Sequence, residues 1–460
     1  MLNAGLNAVR INMSHGTQEQ HTETIALARK VATTLGKPLS ILVDLSGPKI
    51  RTRTLENGIP VELIDGQAFI ITTREVIGNT REVSTNFNDL PRAVEPGSRI
   101  LLDDGAIDLI VESKTETDVI CRVVTGGLLA ERKGINLPNT PLAIPSMTEK
   151  DHADLVWAMG QNVDFIALSF VRTAQDCIEA KQRIKELNTR TLGRAQLVAK
   201  IEKSEAIDDL DAIIEATDGV MVARGDLGVE TSVELVPVYQ KRIIEKAIAN
   251  DKFVITATQM LQSMIENPFP TRAEASDVAN AVWDGTDAVM LSAETASGRY
   301  PVEAVKTMVR IIESAETIKA DQLRAPIKFA QPPSGRTSQA LSRAAASAAR
   351  EMLTDKVAVF TESGLMARRL STVRSGLQTY ALTQSQDAWN QLSLIWGVKP
   401  FVHESSDSTH GMLEIGEKTL LQAGVVEAGE TIIMMAGRLS GRGLSSSVVV
   451  WTIGESVPRR

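Results

Sequence analysis

The stretch Val198-Ala-Lys-Ile-Glu-Lys203, read together with Met221-Val-Ala-Arg-Gly-Asp-Leu-Gly228, decides the fold. Residues 196–201 are a short apolar run of strand character. Strand side chains alternate, so Lys200 and Glu202 point to the same side. A lysine and a glutamate closing a buried strand set a cation beside an anionic metal ligand; the plainer alternative is a solvated pair at a strand end. The second stretch repeats the pattern, apolar from Gly219 to Ala223 and then Arg224, Gly225 and Asp226, which predicts a strand over 219–225. Two carboxylates from neighbouring strands, completed by water and substrate oxygens, suit magnesium, which takes oxygen ligands and keeps waters. Lys200, Glu202 and Asp226 thus sketch a site for a small phosphorylated acid.

Outward from this pair the same grammar recurs. Strands are predicted at 8–13, 39–45, 164–170, 253–259 and 287–292, with helical periodicity between them, as over 18–35. Short connections between strand and helix mark parallel α/β units. Ser146 or Thr148 can cap the helix opened by Glu149 and Asp151. Polar residues gather at the strands' C-terminal ends: Asn12, Asp44, Ser169, Lys200, Asp226, Thr258 and Ser292. In a (β/α)8 barrel that rim carries the chemistry. Seven such strands are one short of closure, and the missing one is expected ahead of Met1, an internal methionine having been taken as the start.

Two further units are predicted. Over 51–141 helical periodicity gives way to short alternating strands separated by Asp65-Gly66, Gly78-Asn79, Asp104-Gly105 and Gly126-Gly127. This is an all-β insertion in a barrel spanning 1–50 and 142–332. Past Pro332-Pro333-Ser334-Gly335, residues 333–460 read as a smaller doubly wound α/β domain. Three domains agree with the chain's 460 residues at roughly 150 each. The net charge of -8 argues against a nucleic-acid or anionic-membrane surface. Only Cys121 and Cys177 occur, which argues against a disulfide scaffold and for a reducing, cytoplasmic setting. No apolar run is long enough to span a bilayer, and the N-terminus lacks the regions of a signal peptide.

Several motifs, in order, resemble those of pyruvate kinases: Val9-Arg-Ile-Asn-Met-Ser-His-Gly16, Asp44-Leu-Ser-Gly-Pro-Lys-Ile-Arg51, Lys133-Gly-Ile-Asn-Leu-Pro138, Ala199-Lys-Ile-Glu202, 221–228, Ala257-Thr-Gln-Met260, Pro270-Thr-Arg-Ala-Glu274 and Met290-Leu-Ser-Ala-Glu-Thr295. The resemblance implies phosphoryl transfer from phosphoenolpyruvate to ADP, giving ATP and pyruvate. By position it assigns the magnesium (or manganese) to Glu202 and Asp226, and the transferring phosphoryl group to Lys200. Gly225, Asp226 and Thr258 would hold the substrate carboxylate and Arg10 the phosphate. Asn12, His15, Arg51 and Lys133 would lie on the nucleotide side, and Ser292 in the proton relay. Thr271, Arg272 and Glu274 are expected to brace the barrel or a subunit contact, and Lys203 to be structural. A homotetramer is the family's usual assembly.

Three departures qualify the resemblance. The absent first strand keeps open a catalytically impaired paralogue that binds metabolites. Asn12, Ser14, Asp44 and Leu45 match the family's monovalent-cation position. Lys49, however, stands where potassium-dependent relatives carry glutamate, so potassium-independent activity is expected, the ammonium supplying the missing charge. In the C-terminal domain, Thr361-Glu-Ser-Gly-Leu-Met366 occupies the phosphate-gripping turn at a helix N-terminus. There Glu362 adds negative charge and Met366 replaces a hydroxyl residue. Ser440-Gly-Arg-Gly443 and Ser445–Ser447 form a second loop. The alternatives for a phosphorylated effector are a nucleotide, a sugar monophosphate, or none.

Overall fold

The computed structural model describes residues 1–138, 140, 144–188, 195–318, 336–405, 408–437 and 445–455. Among these, seven parallel strands form one sheet in sequential order: β1 (Ala8–Asn12), β2 (Ser40–Asp44), β3 (Phe165–Leu168), β4 (Gln196–Ile201), β5 (Gly219–Ala223), β6 (Phe253–Ala257) and β7 (Ala288–Val289). The strands are apolar on both faces, as parallel strands covered on both sides must be. Ile41, Val43, Ile166, Leu168, Leu197, Ala199, Val220 and Val222 join one core with helix residues such as Ile25, Leu155, Ile184 and Ile244. The alternate residues Leu42, Phe165, Ala167, Val198, Met221, Phe253 and Ile255 join a second, which continues into the C-terminal domain through Val357, Met366 and Leu392. Gly219 is small because of this inner packing: a Cβ there would lie 2.4 Å from the Phe253 ring.

Helix ends are defined by caps. Thr17 and Gln20 form a capping box for Gln18–Leu35, which stops at Gly36 in the left-handed conformation. Thr148, rather than Ser146, caps Glu149–Gly160, and Asp151 completes its box.

The insertion is a six-stranded sheet, in the order Ile135–Asn136, Arg99–Leu102, Ile107–Lys114, Asp118–Thr125, Ala68–Thr72, Glu82–Ser84, beside the pair Val61–Leu63 and Gly127–Leu129. Its core is built from alternating strand positions, among them Phe69, Ile71, Leu109, Val111, Val119, Cys121 and Val123. The C-terminal sheet runs Val398–Val402, Gln378–Thr383, Lys356–Phe360, Thr431–Gly437, Ser445–Thr452, parallel except for the last strand. The proposed linker at 332–335 and the loop Ser440–Gly443 lie outside the described residues.

Two strand ends differ from expectation. The predicted strand 219–225 stops at Ala223, and Arg224–Glu230 is a helix, so Asp226 sits in a helical first turn rather than on a strand. The predicted strand 287–292 is only Ala288–Val289, and Ser292 is the N-cap of the short helix Ala293–Ala296. No helix among the described residues is long and apolar enough to cross a membrane.

Candidate active site

Strand register brings the rim residues together. Asp44 pairs with Ala167 and Leu168 with Ala199, so Ser169 and Lys200 leave their strands level with each other, and Asp44 stands two residues before them in register. Lys200 Nζ lies 2.8 Å from Ser169 Oγ, 2.8 Å from Glu202 Oε1 and 3.3 Å from Asp44 Oδ1. Arg10 reaches the other oxygen of Asp44 through Nε at 2.7 Å and Nη2 at 2.6 Å. One carboxylate therefore holds two cations. Burial penalises the Asp44 anion, but Lys200 and Arg10 outweigh it and hold the carboxyl below its usual range. Burial likewise disfavours the Lys200 ammonium, yet Asp44 and Glu202 raise its pKa above the ordinary lysine value. Lys200 is thus a fixed, fully charged cation.

Glu202 behaves differently. Its carboxyl is raised above the ordinary value, first by burial and then by the nearby Asp226 charge, against the pull of Lys200. Oε2 accepts from the Phe170 amide at 2.8 Å. Oε1 meets the Lys200 ammonium at 2.8 Å. A buried carboxylate whose proton affinity is raised by burial and by a second carboxylate fits a hard cation. Among the described residues no three or more His, Cys, Asp or Glu gather as an all-protein metal cage. A cation held by Glu202 and Asp226 would therefore need oxygens from water or substrate to complete its shell. Half-buried Lys49 stands on the far side, its Nζ 3.9 Å from Asp226 Oδ1.

Thr258 lies in a turn just after β6. Its φ of 69° is unusual for a β-branched residue, and Gln259 follows at 52°. The Gly225 amide donates to Thr258 Oγ1 at 2.9 Å, and that hydroxyl donates to the Ala257 carbonyl at 2.6 Å. Arg224, buried, holds the turn from below: Nη2 donates to Thr258 O at 2.6 Å and Gln259 O at 3.3 Å, while Nη1 pairs with Asp277 Oδ1 at 2.7 Å.

The other predicted residues are more dispersed. Asn12 Oδ1 accepts from the Ser14 amide at 3.2 Å, with exposed Ser14 and His15 in the turn beyond β1. The Leu45 carbonyl accepts from Ser169 Oγ at 2.7 Å. Arg51 and Lys133 belong to the inserted domain, Arg51 donating to Arg132 O at 3.1 Å and Lys133 pairing with Asp103 at 2.9 Å. Ser292 is tied to the Thr258 turn through Glu294, which accepts from the Ser292 amide at 2.7 Å and the Leu261 amide at 3.2 Å. Glu274 accepts from Thr271 and Ser263, a bracing arrangement. Lys203 pairs with Glu230 at 2.8 Å, facing away from the cluster. In the C-terminal turn Met366 is packed in the core and Glu362 is exposed.

Sequence reasoning gave no role to Ser169, Phe170, Arg224 or Glu294. Ser169 carried a signal, as the polar residue ending an apolar strand. The other three act through contacts between distant elements.

Two family profiles match the chain: "Pyruvate kinase, barrel domain" over residues 1–305 and "Pyruvate kinase, alpha/beta domain" over 339–450. A pyruvate kinase of Clostridium acetobutylicum is 42% identical over 438 residues, covering 95% of this chain and 91% of the relative. One from Bacillus licheniformis is 41% identical over 461 residues, covering 100% of this chain and 78% of the relative. The crystal structure of a pyruvate kinase from Cryptosporidium parvum superposes with a TM-score of 0.90 at 34% identity, over 98% of this chain and 92% of that one. With profiles spanning most of its length and relatives above 40% identity, the chain belongs to the pyruvate kinase family, the phosphotransferases of glycolysis.

Proposed function

We propose that the chain transfers the phosphoryl group of phosphoenolpyruvate to ADP at the rim cluster, with Lys200 as the fixed cation of the transfer. The observation that carries this reading is the buried set Asp44–Lys200–Glu202, in which one ammonium is held by two carboxylates and Glu202 also feels the charge of Asp226. Glu202 and Asp226 would hold magnesium, or manganese in its place, with water and substrate oxygens completing the shell. Such an ion, when bound, supplies charge neutralisation to phosphoryl and enolate oxygens.

The chain's own residues do the rest. Thr258, with the amides at Gly225 and Asp226, receives the substrate carboxylate, and the Gly225–Thr258 bond keeps those groups in one place. Arg10, oriented by Asp44, meets the phosphate. Lys200 stands against the transferring group, where charge spreads over three oxygens as the bond to the enol oxygen breaks and the bond to an ADP oxygen forms. Because Lys200 is already oriented by three partners, little reorganisation is needed. The enolate then takes a proton on its methylene carbon, Ser292 ordering the water that delivers it. Arg51, Lys133, Asn12 and His15 serve the nucleotide side.

The same reading extends to potassium independence. Lys49 sets an ammonium near Asp226, and Asp44 at the monovalent-cation position is already balanced by Arg10 and Lys200. A homotetramer in the cytoplasm is the assembly carried over from the family. In the C-terminal domain, Glu362 and the buried Met366 weigh against a bisphosphate effector and leave a monophosphate, or none.

The test is ATP and pyruvate formation from phosphoenolpyruvate, ADP and magnesium in a buffer free of sodium and potassium. Turnover there, unchanged by potassium at constant ionic strength, supports both parts. Turnover only with potassium sinks the cation reading alone. No turnover under either condition sinks the assigned reaction.

A further inference from the structure

The inserted domain joins the barrel through a two-stranded ribbon. Its crossings are hydrogen-bonded to each other, Thr52 N donating to Lys133 O at 2.8 Å and Ile135 N to Ile50 O at 2.9 Å. At the end of the ribbon, the buried Asn136 donates through Nδ2 to Glu230 Oε1 on the barrel at 2.7 Å. The same oxygen lies 2.8 Å from Lys203 Nζ, and both side chains of that pair are buried. Glu230 ends the helix that begins with Arg224, Gly225 and Asp226. Lys203 directly follows Glu202, and its Nζ lies 5.9 Å from the centroid of the Phe170 ring. A small cavity of about 30 Å³, room for a water, lies beside these groups and is lined also by Lys49, Ile50 and Arg172.

A buried ion pair is weak ground for stability, since apolar residues of the same volume would serve as well. Its value here is directional. The Glu230 carboxylate is held in the barrel by Lys203, and it accepts the Asn136 amide from the ribbon.

We propose that Asn136, Glu230 and Lys203 form a latch that sets the position of the inserted domain over the Asp226 helix. They are positioning residues. The proposal rests on the assignment of Arg51 and Lys133 to the nucleotide side. Both lie on the ribbon, so its inclination sets their place, while Arg10, Lys200 and Thr258 stay on the barrel. Loosening the latch therefore disturbs ADP and spares phosphoenolpyruvate.

The test uses the full chain with Asn136→Ala, Asn136→Ser and Asn136→Asp. Alanine removes only the ribbon-side bond and leaves Glu230 paired with Lys203. Aspartate sets a second carboxylate against Glu230. Serine keeps a donor that can reach Glu230 through a water in the cavity. Backbone amide exchange in the ribbon is expected to speed up about tenfold in the alanine variant, the worth of one such bond. Exchange should be faster still with aspartate and intermediate with serine, with thermal unfolding unchanged in the alanine variant. The KM for ADP should rise in the same order, about tenfold for alanine, while the KM for phosphoenolpyruvate stays within about twofold. Unchanged ribbon exchange overturns the latch, as does an equal shift in both KM values. The exchange measurement needs no turnover, so a failure of the reaction assignment is read separately.

Discussion

The Gly225 amide donates to the Thr258 hydroxyl at 2.9 Å, joining the helix that carries Asp226 to the strained turn after β6. That turn is held open by Arg224, which spans two successive carbonyls of left-handed residues and pairs with Asp277. Arg224→Met keeps the bulk of the side chain and removes the donors. We expect a loss of roughly 2–4 kcal/mol in urea unfolding, because the carbonyls and Asp277 lose a buried cation. Weaker phosphoenolpyruvate binding should accompany it, as Thr258 relaxes. A variant that unfolds like the wild type would show that the turn is stable without its brace.

Lys200→Ala separates binding from chemistry. Arg10 still neutralises Asp44, so the fold and the substrate phosphate contact should survive. We expect kcat to fall by about 10²–10³-fold, the usual scale for removing one fixed group from a developing charge, with binding of phosphoenolpyruvate retained. Titration calorimetry beside steady-state kinetics would check both. Unchanged kcat would dismiss the lysine's assigned part.

Asp164 gives stability a pH dependence of unusual sign. It is buried, accepts from Arg29 at 2.6 Å and the Ile41 amide at 2.7 Å, and faces Asp387. Burial pushes its carboxyl up from 3.8 to about 6, against the attraction of Arg29. The folded pKa exceeds the unfolded one, so the folded state binds the proton more tightly. The contribution is full below pH ~4 and is lost as pH rises through about 6, roughly 3 kcal/mol in all. Unfolding free energies of wild type and Asp164→Asn, compared at pH 4 and 7, should show the wild type losing that advantage with rising pH. A constant difference between the two proteins would count against it.

Cys121 and Cys177 should be inert in the native protein. Both are buried, and burial pushes each thiol up to about 12, far from the thiolate range. A thiol reagent at neutral pH should find no reactive group until denaturant is added, and then two. Rapid labelling of the native chain would show that one of these cores opens readily.

Some of this was legible in the sequence. The two-residue spacing of Lys200 and Glu202 places both on one side of β4 whatever surrounds them, and Asp44 was legible as the polar end of the apolar strand β2. The boundaries at Ala223 and Val289 were not legible. Strand-like residues continue into Arg224 and Met290, while Gly225 and Gly228 disfavour a helix by propensity. Packing of Leu227 into the outer core decides for the helix. The bracing roles of Arg224, Glu294 and Phe170 join residues far apart in the chain, and no local pattern announces such contacts. Glu230 is likewise silent in sequence.

Around the rim three cations, Arg10, Lys49 and Lys200, face three carboxylates, Asp44, Glu202 and Asp226. The cluster is electroneutral before anything binds. An anionic substrate arriving alone would unbalance it in one direction, and a divalent cation alone in the other. If both bind there as proposed, each would make room for the other, and thermodynamic reciprocity requires the two enhancements to be equal. The affinity for either measured without its counterpart understates what the site can do.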